Sequence, residues 1–213
     1  MAKIILLASE KTAYGVQQFL MREYQEHFRE LGHECPLYSF GNNSSLVPLG
    51  EEFVKGGVDL VLSFNNICLE ICESNSSENI YSALDMPFCG YLLDHPAYHV
   101  ARIEGDYPTL SMACVDSSHV SFVQNTFERD AFYVPHAACR VAKSQEPLKK
   151  RPMKIFFAGT YADPLQYLKC FDHLQDATRD AIGQIIAHAE GKPLKPLMEI
   201  IHEELKALHL VEE

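Results

Sequence analysis

An α/β fold is predicted for this chain: a Rossmann-like parallel sheet of about six strands with flanking helices, then a linker, one further strand and a helical tail. Three observations predict it. Seven short apolar runs begin roughly every 22 to 31 residues. The runs are nearly continuous in apolar residues, as suits strands covered on both faces. Most are followed by a polar or helical stretch long enough for a right-handed crossover. Sheets of this kind bind ligands at the carboxyl ends of their strands, so function is expected in the residues just after each run.

The runs are KIILLAS (3–9), ECPLYSF (34–40), VDLVLSFN (58–65), PFCGYLLD (87–94), TLSMACVD (109–116), AFYVPHA (131–137) and MKIFFAGTY (153–161). After the first, Val16, Leu20, Tyr24, His27, Phe28 and Leu31 form one stripe at spacings of three and four, which predicts a helix that Gly32 ends. The second leads through the polar loop 41–45 to a short helix near 51–56. The stretch after the third predicts mixed helix and loop, with Glu70 and Glu73 on a solvated helix face and SNSSEN (74–79) the most loop-like segment. Pro96 breaks regular structure after the fourth run. Asp116, Ser117 or Ser118 is expected to cap a short helix after the fifth. The polar, basic, proline-containing stretch 138–152 reads as an interdomain linker. Helices are expected over 171–189 and 197–210, the latter with Leu197, Ile201, Leu205 and Leu208 on one face. The chain therefore divides into an amino-terminal domain (1–137), the linker, and the start of a second domain with a helical tail (153–213).

At 213 residues the chain can bury a full core. Its net charge of −11 comes from 18 Lys and Arg against 29 Asp and Glu, and its longest basic block is Lys149-Lys150-Arg151. That argues against a nucleic-acid surface, whose affinity rests largely on phosphate neutralisation. It leaves room for a small phosphorylated ligand held by backbone amides. No window approaches the ~18 apolar residues of a membrane span, and the opening apolar run is shorter than a signal-peptide core. Of the seven cysteines, Cys35, Cys89, Cys114 and Cys139 lie in or beside predicted strands. Buried thiols in a cytoplasmic protein are the expectation. Cys68 and Cys72 are four apart and can share a helix face, but no second Cys/His pair at zinc spacing accompanies them, so no metal is expected.

Candidate site residues follow the strand ends. The loop from Ser9 to Gly15 opens a helix, where free amides can hold an anion; it also reads as an ordinary βα turn, since only Gly15 is present of the G-x-G-x-x-G pattern. Asp94-His95-Pro96-Ala97-Tyr98-His99 gathers a carboxylate, two imidazoles and a phenol into six residues. An Asp–His pair can act as general base, and the group can equally bind sugar hydroxyls or a diphosphate, or form a structural turn with Asp94 as its cap. His95 and His99 have metal-compatible spacing without a third ligand. Ser63 and Asn65 end the third run, His119 lies near the same edge, and His136 ends the sixth run beside the linker. Gly159 and Thr160 end the seventh, where a glycine lets backbone approach a phosphate. No G-x-S-x-G nucleophile elbow is present.

Taken in order, Asp94-His95-Pro96 after a central strand, Pro135-His136-Ala137 at the end of the sixth, a basic linker and Phe157-Ala158-Gly159 opening the next strand make residues 58–164 resemble, in outline, the GT-B-type glycosyltransferases of the spore-maturation-protein-like group. The resemblance implies two facing Rossmann-like domains with a sugar nucleotide in the cleft as donor substrate, a hydroxyl acceptor, and no metal or other cofactor. It implies Asp94 and His95 as catalytic candidates and His136 lining the cleft, with Gly159 and Thr160 approaching the donor diphosphate. The family's second domain continues through several more βα units, whereas helices follow residue 161 here. The expectation is therefore a glycosyltransferase or the acceptor-side portion of one. The alternative is a non-catalytic Rossmann-like binding or scaffold module that assembles with itself or a partner through its carboxyl-terminal helix. A metal-dependent hydrolase using Asp94, His95 and His99 is a third reading.

Overall fold

The structure is a computed structural model describing residues 1–11, 15–41, 46–72, 78–136, 147–150, 163, 166, 168–192 and 194–209. The chain divides into two compact units, Met1–Val141 and Ala142–Glu213, and the division falls inside the residues expected as linker. Most of that linker and all of the seventh apolar run, with Gly159 and Thr160, lie outside the described residues.

The first unit is an α/β sheet of six strands, all parallel: β1 (Ile4–Ser9), β2 (Leu37–Phe40), β3 (Leu60–Phe64), β4 (Phe88–Leu92), β5 (Leu110–Cys114) and β6 (Ala131–Tyr133), in the order β2-β1-β3-β4-β5-β6. The predicted fold class is therefore the observed one. Between strands run α1 (Val16–Glu30), α2 (Val47–Lys55), α3 (Ile80–Ala83), α4 (Val100–Ile103) and α5 (Ser117–Phe127).

Strand alternation sorts the apolar residues into two cores. Ile5, Leu7, Val61, Phe88, Leu92 and Met112 pack on one face with Leu49 and Phe53 of α2, Tyr81 of α3, Ile103 of α4 and Val123 of α5. Ile4, Leu6, Ala8, Leu62, Phe64, Cys89 and Tyr91 pack on the other with Met21, Leu20, Tyr24 and Phe28 of α1. Crossovers of one hand that run in opposite directions along a sheet place their helices on opposite faces. This is why α1, leading outward to β2, lies opposite α2, which leads back to β3. The strand order reverses between β1 and β3, so the crevice at their carboxyl ends is the expected ligand position.

Gly32 follows α1 with φ +87, the left-handed conformation that ends a helix at a glycine. The second helix begins at Val47, earlier than expected, because Pro48 suits a first turn. The segment after β3 is not the helix that would put Cys68 and Cys72 on one face. Asn65, Asn66 and Cys68 all have positive φ and residues 65–70 run in turns; the next described helix is the short α3. Glu70 therefore lies on a turn, and Glu73 lies outside the described residues. At the amino edge of the sheet, Lys3 Nζ meets Glu52 Oε1 at 2.5 Å with both side chains almost buried, and Tyr38 Oη and Lys55 Nζ donate to the other carboxylate oxygen.

In the second unit, α6 (Asp176–Gly191) and α7 (Leu197–Ala207) pack on one another, burying Ala181 and Ile200 and pairing His188 with Glu204. A 3₁₀ turn, Lys169–Phe171, precedes α6, which is why that helix starts later than expected.

Candidate functional site at the carboxyl edge of the sheet

The carboxyl ends of β3 and β4 are joined through one side chain. Asn65 follows β3 at φ +53, a region asparagine tolerates better than most residues because its short amide can bond locally. Its backbone N–H continues the ladder to Tyr91 O at 3.0 Å. Its Oδ1 accepts the Leu93 amide at 2.9 Å, and its Nδ2 donates to Asp94 Oδ2 at 2.7 Å. Asn65 is 6% exposed and both ends of its amide are engaged within the chain, so it holds Asp94.

Asn66 is entirely buried beside it. Its Nδ2 points at the Met112 sulfur, 3.5 Å away, and its Oδ1 has no hydrogen-bond partner. Gly90 makes room for it: a Cβ at position 90 would overlap Asn66 Oδ1. Ser63 is also fully buried, its hydroxyl donating to Ile67 O at 2.8 Å.

After β4 the chain reaches Asp94 at the surface, its side chain 61% exposed. His95, rather than Asp94, caps the next turn. Its Nδ1 accepts the Ala97 amide at 3.1 Å and so starts the 3₁₀ turn Pro96–His99. A backbone N–H can only donate, so His95 is neutral with its proton on Nε2. Burial lowers the His95 pKa, the neighbouring His119 lowers it further, and Asp116 opposes both. The His95 ring meets His119 edge-on, centroids 4.7 Å apart, and packs on Phe122 at 5.1 Å.

His99 closes the turn. Its side chain is only 12% exposed, and Nε2 stands 3.9 Å from Asp94 Oδ2, beyond hydrogen-bond reach and with no other partner. Burial lowers its pKa; Asp94 pulls it up and Arg102 pushes it down. Tyr98, in the same turn, is 81% exposed.

Two further elements complete the edge. On α4, Arg102 donates from Nη1 to Asn65 O at 3.2 Å, with Nη2 3.9 Å from Glu70 Oε1. On α5, Asp116 caps the helix by accepting from the Ser118 amide at 2.7 Å and the Ser118 hydroxyl at 2.6 Å, bonds that lower its pKa. That cap presents His119, whose Nδ1 is buried without a partner. His136 is exposed, and the chain leading to it is held by Tyr91 Oη, which donates to Pro135 O at 3.0 Å.

The structure thus brings Asn65, Asp94, His95, His99 and His119 to one edge. At the end of β1, Ser9 Oγ accepts the Lys11 amide at 3.0 Å, and Gly15 enters α1 at φ +66. No bond joins either residue to the Asp94 cluster among the described residues. Arg102 went unnoticed in the sequence: a lone arginine in a short turn-and-helix stretch carries no local pattern. Among the described residues no group of three or more His, Cys, Asp or Glu side chains could hold a metal, and no helix is long and apolar enough to cross a membrane.

No protein-family model, curated protein or solved structure matches the chain. Its class therefore rests on fold and site: a parallel α/β protein with a carboxylate–imidazole cluster at the carboxyl edge of its sheet.

Proposed function

We propose that this chain is a sugar-nucleotide-dependent glycosyltransferase, or the acceptor-side portion of one, with Asp94 as the base for the acceptor hydroxyl. One observation carries the reading. Asp94 is an exposed carboxylate gripped from beneath by a buried amide, at the sheet edge where such folds bind ligands. A positioned carboxylate can take a proton without first having to be oriented.

In the proposed reaction Asp94 accepts the proton of the acceptor hydroxyl as its oxygen bonds to the anomeric carbon. The bond from that carbon to the diphosphate oxygen breaks, and its electron pair leaves with the nucleoside diphosphate. His95 contributes Nε2–H as a donor to substrate oxygen, since its Nδ1 is committed to the Ala97 amide. Tyr98, His99, His119 and His136 are the further acceptor-side contacts. Gly159 and Thr160 are proposed to approach the donor diphosphate. The described cysteines are all thiols, which supports a reducing, cytoplasmic setting.

The test is nucleotide release from UDP-, GDP- and dTDP-hexoses in the presence of hydroxyl acceptors, using the gene product that carries this chain. Release that depends on acceptor and is lost in Asp94→Asn supports the reading. Failure of every sugar nucleotide to bind or turn over removes it.

A further inference from the structure

Two helical segments at the carboxyl edge of the sheet begin with the same device built from different chemistry. At α5, Asp116 accepts the Ser118 amide, two residues on, at 2.7 Å. At the turn Pro96–His99, His95 accepts the Ala97 amide, two residues on, at 3.1 Å. Pro96 has no N–H, so Ala97 supplies the first amide of that turn and the imidazole receives it. A carboxylate held below its ordinary value goes on accepting a hydrogen bond in mild acid. An imidazole accepts one only while neutral, because both nitrogens of the charged ring donate.

The seat of the ring also opposes the charge. The His95 ring lies edge-on to His119, centroids 4.7 Å apart, and on Phe122 at 5.1 Å. His119 Nδ1 is itself buried without a partner. Both α4 and α5 pack on the turn. From α5 the ring is faced by His119, which disfavours a proton, and by Asp116, which favours one but already holds Ser118. On the ring's own segment, Asp94 is held by Asn65 and His99 is largely buried. From α4, Arg102 bears on His99 and on the Asn65 carbonyl.

We infer that Pro96–His99 is a pH-sensitive switch: a proton on His95 breaks its bond to Ala97, takes the ring off His119 and Phe122, and opens the turn that carries Tyr98 and His99. The cap stands while the ring is neutral. Burial holds the His95 value below the ordinary imidazole range, so the turn is closed at neutral pH and opens as pH falls through that lowered value. That opening turns transfer off in acid rests on the transferase reading; that the turn opens does not.

The measurement is amide hydrogen exchange by NMR between about pH 8 and 5, corrected for the intrinsic pH dependence of exchange, with the His95 ring resonances followed alongside. Protection at Ala97 falls along the His95 titration. About one pH unit below its midpoint, where about a tenth of the rings remain neutral, protection is about a tenth of its value at neutral pH. Ser118, under its carboxylate cap, is the internal reference and keeps its protection. His95→Asn keeps an acceptor at the cap position without a titrating group, so its Ala97 protection does not change with pH. Full protection at Ala97 while His95 titrates overturns the inference, as does a ring that stays neutral throughout. Equal loss at Ser118, or the same loss in a folded His95→Asn protein, overturns it too; the contrast between Ala97 and Ser118 in the parent decides without the variant. Loss of Ala97 protection without sugar-nucleotide turnover keeps the switch and removes the transferase reading; turnover with Ala97 protected at every pH does the reverse.

Discussion

Asn65 and Asp94, 29 residues apart in the chain, are joined by a 2.7 Å hydrogen bond from Nδ2 to Oδ2. The same Asn65 amide also accepts the Leu93 N–H, so one buried side chain determines where β4 ends and where its first exposed carboxylate lies. Asn65→Gly keeps the left-handed backbone but releases both partners. It is expected to cost about 2 kcal/mol, since the Leu93 amide loses its acceptor, and to lower kcat more than it raises KM. Urea unfolding and steady-state kinetics check this. A variant as stable as the parent would remove Asn65 from the support of Asp94.

Asp94→Asn removes the proposed base while keeping its shape. Turnover is expected to fall by about 10² to 10⁴, with stability within about 0.5 kcal/mol of the parent because the residue is exposed. Rates taken beside a denaturation curve separate the two effects. Full activity in a folded Asp94→Asn protein would end its catalytic role.

Gly90→Ala is expected to destabilise by about 3 kcal/mol, the upper end of overpacking costs, because its methyl group overlaps the buried Asn66 amide. Asn66→Gly removes that amide and tolerates the positive φ of +56. The double variant is therefore expected to be more stable than the sum of the two losses. Additive losses in a double-mutant cycle would show that the two residues do not meet.

Acid is expected to weaken the fold in two windows. His95 and His99 are held below the ordinary imidazole value chiefly by burial. As pH falls below about 6.5, the unfolded chain takes up protons that the folded chain refuses. The stability carried by these neutral rings is thus present above that value and lost as pH falls through their lower folded values. Glu52 has the same sign at lower pH. Lys3 and then Lys55 hold it at about 2 against an ordinary 4.5, so its contribution is present above about 4.5 and lost towards 2. Melting temperature against pH is the measurement. His95→Gln with His99→Gln should flatten the fall between pH 7 and 5, and Glu52→Gln the fall below 4.5. A flat parent curve over both windows would contradict the assignment.

Much of the fold was legible. All six strands of the sheet lie inside the apolar runs at 3–9, 34–40, 58–65, 87–94, 109–116 and 131–137. A strand covered on both faces needs apolar residues in unbroken succession, and that is a local pattern. The stripe from Val16 to Leu31 with Gly32 behind it was legible for the same reason, as was a helix cap among Asp116, Ser117 and Ser118, of which the structure uses Asp116. The mixture of helix and loop after β3 was legible, but the stretch around Cys68 and Glu70 looked helical, whereas Asn65-Asn66 at a strand end is a signal for left-handed backbone and a turn. The Asp94–His99 run stood out as a cluster, but not the division of labour within it: His95 became the cap and Asp94 the exposed group. Either residue type can accept a backbone N–H, and only the geometry of the turn chooses between them.

The sequence by itself determined which segments become strands and helices, and that polar groups collect at the carboxyl ends of those strands. Burial of continuous apolar runs and the stopping power of glycine and proline act within a few residues, so the chain carries that information locally. Only the tertiary structure decided that Asn65 grips Asp94, that Arg102 reaches the Asn65 carbonyl, and that Gly90 makes room for Asn66. Those contacts depend on the lateral order and register of β3, β4 and β5 and on where α4 settles. Both are set by packing the two cores together, which no local stretch of sequence encodes.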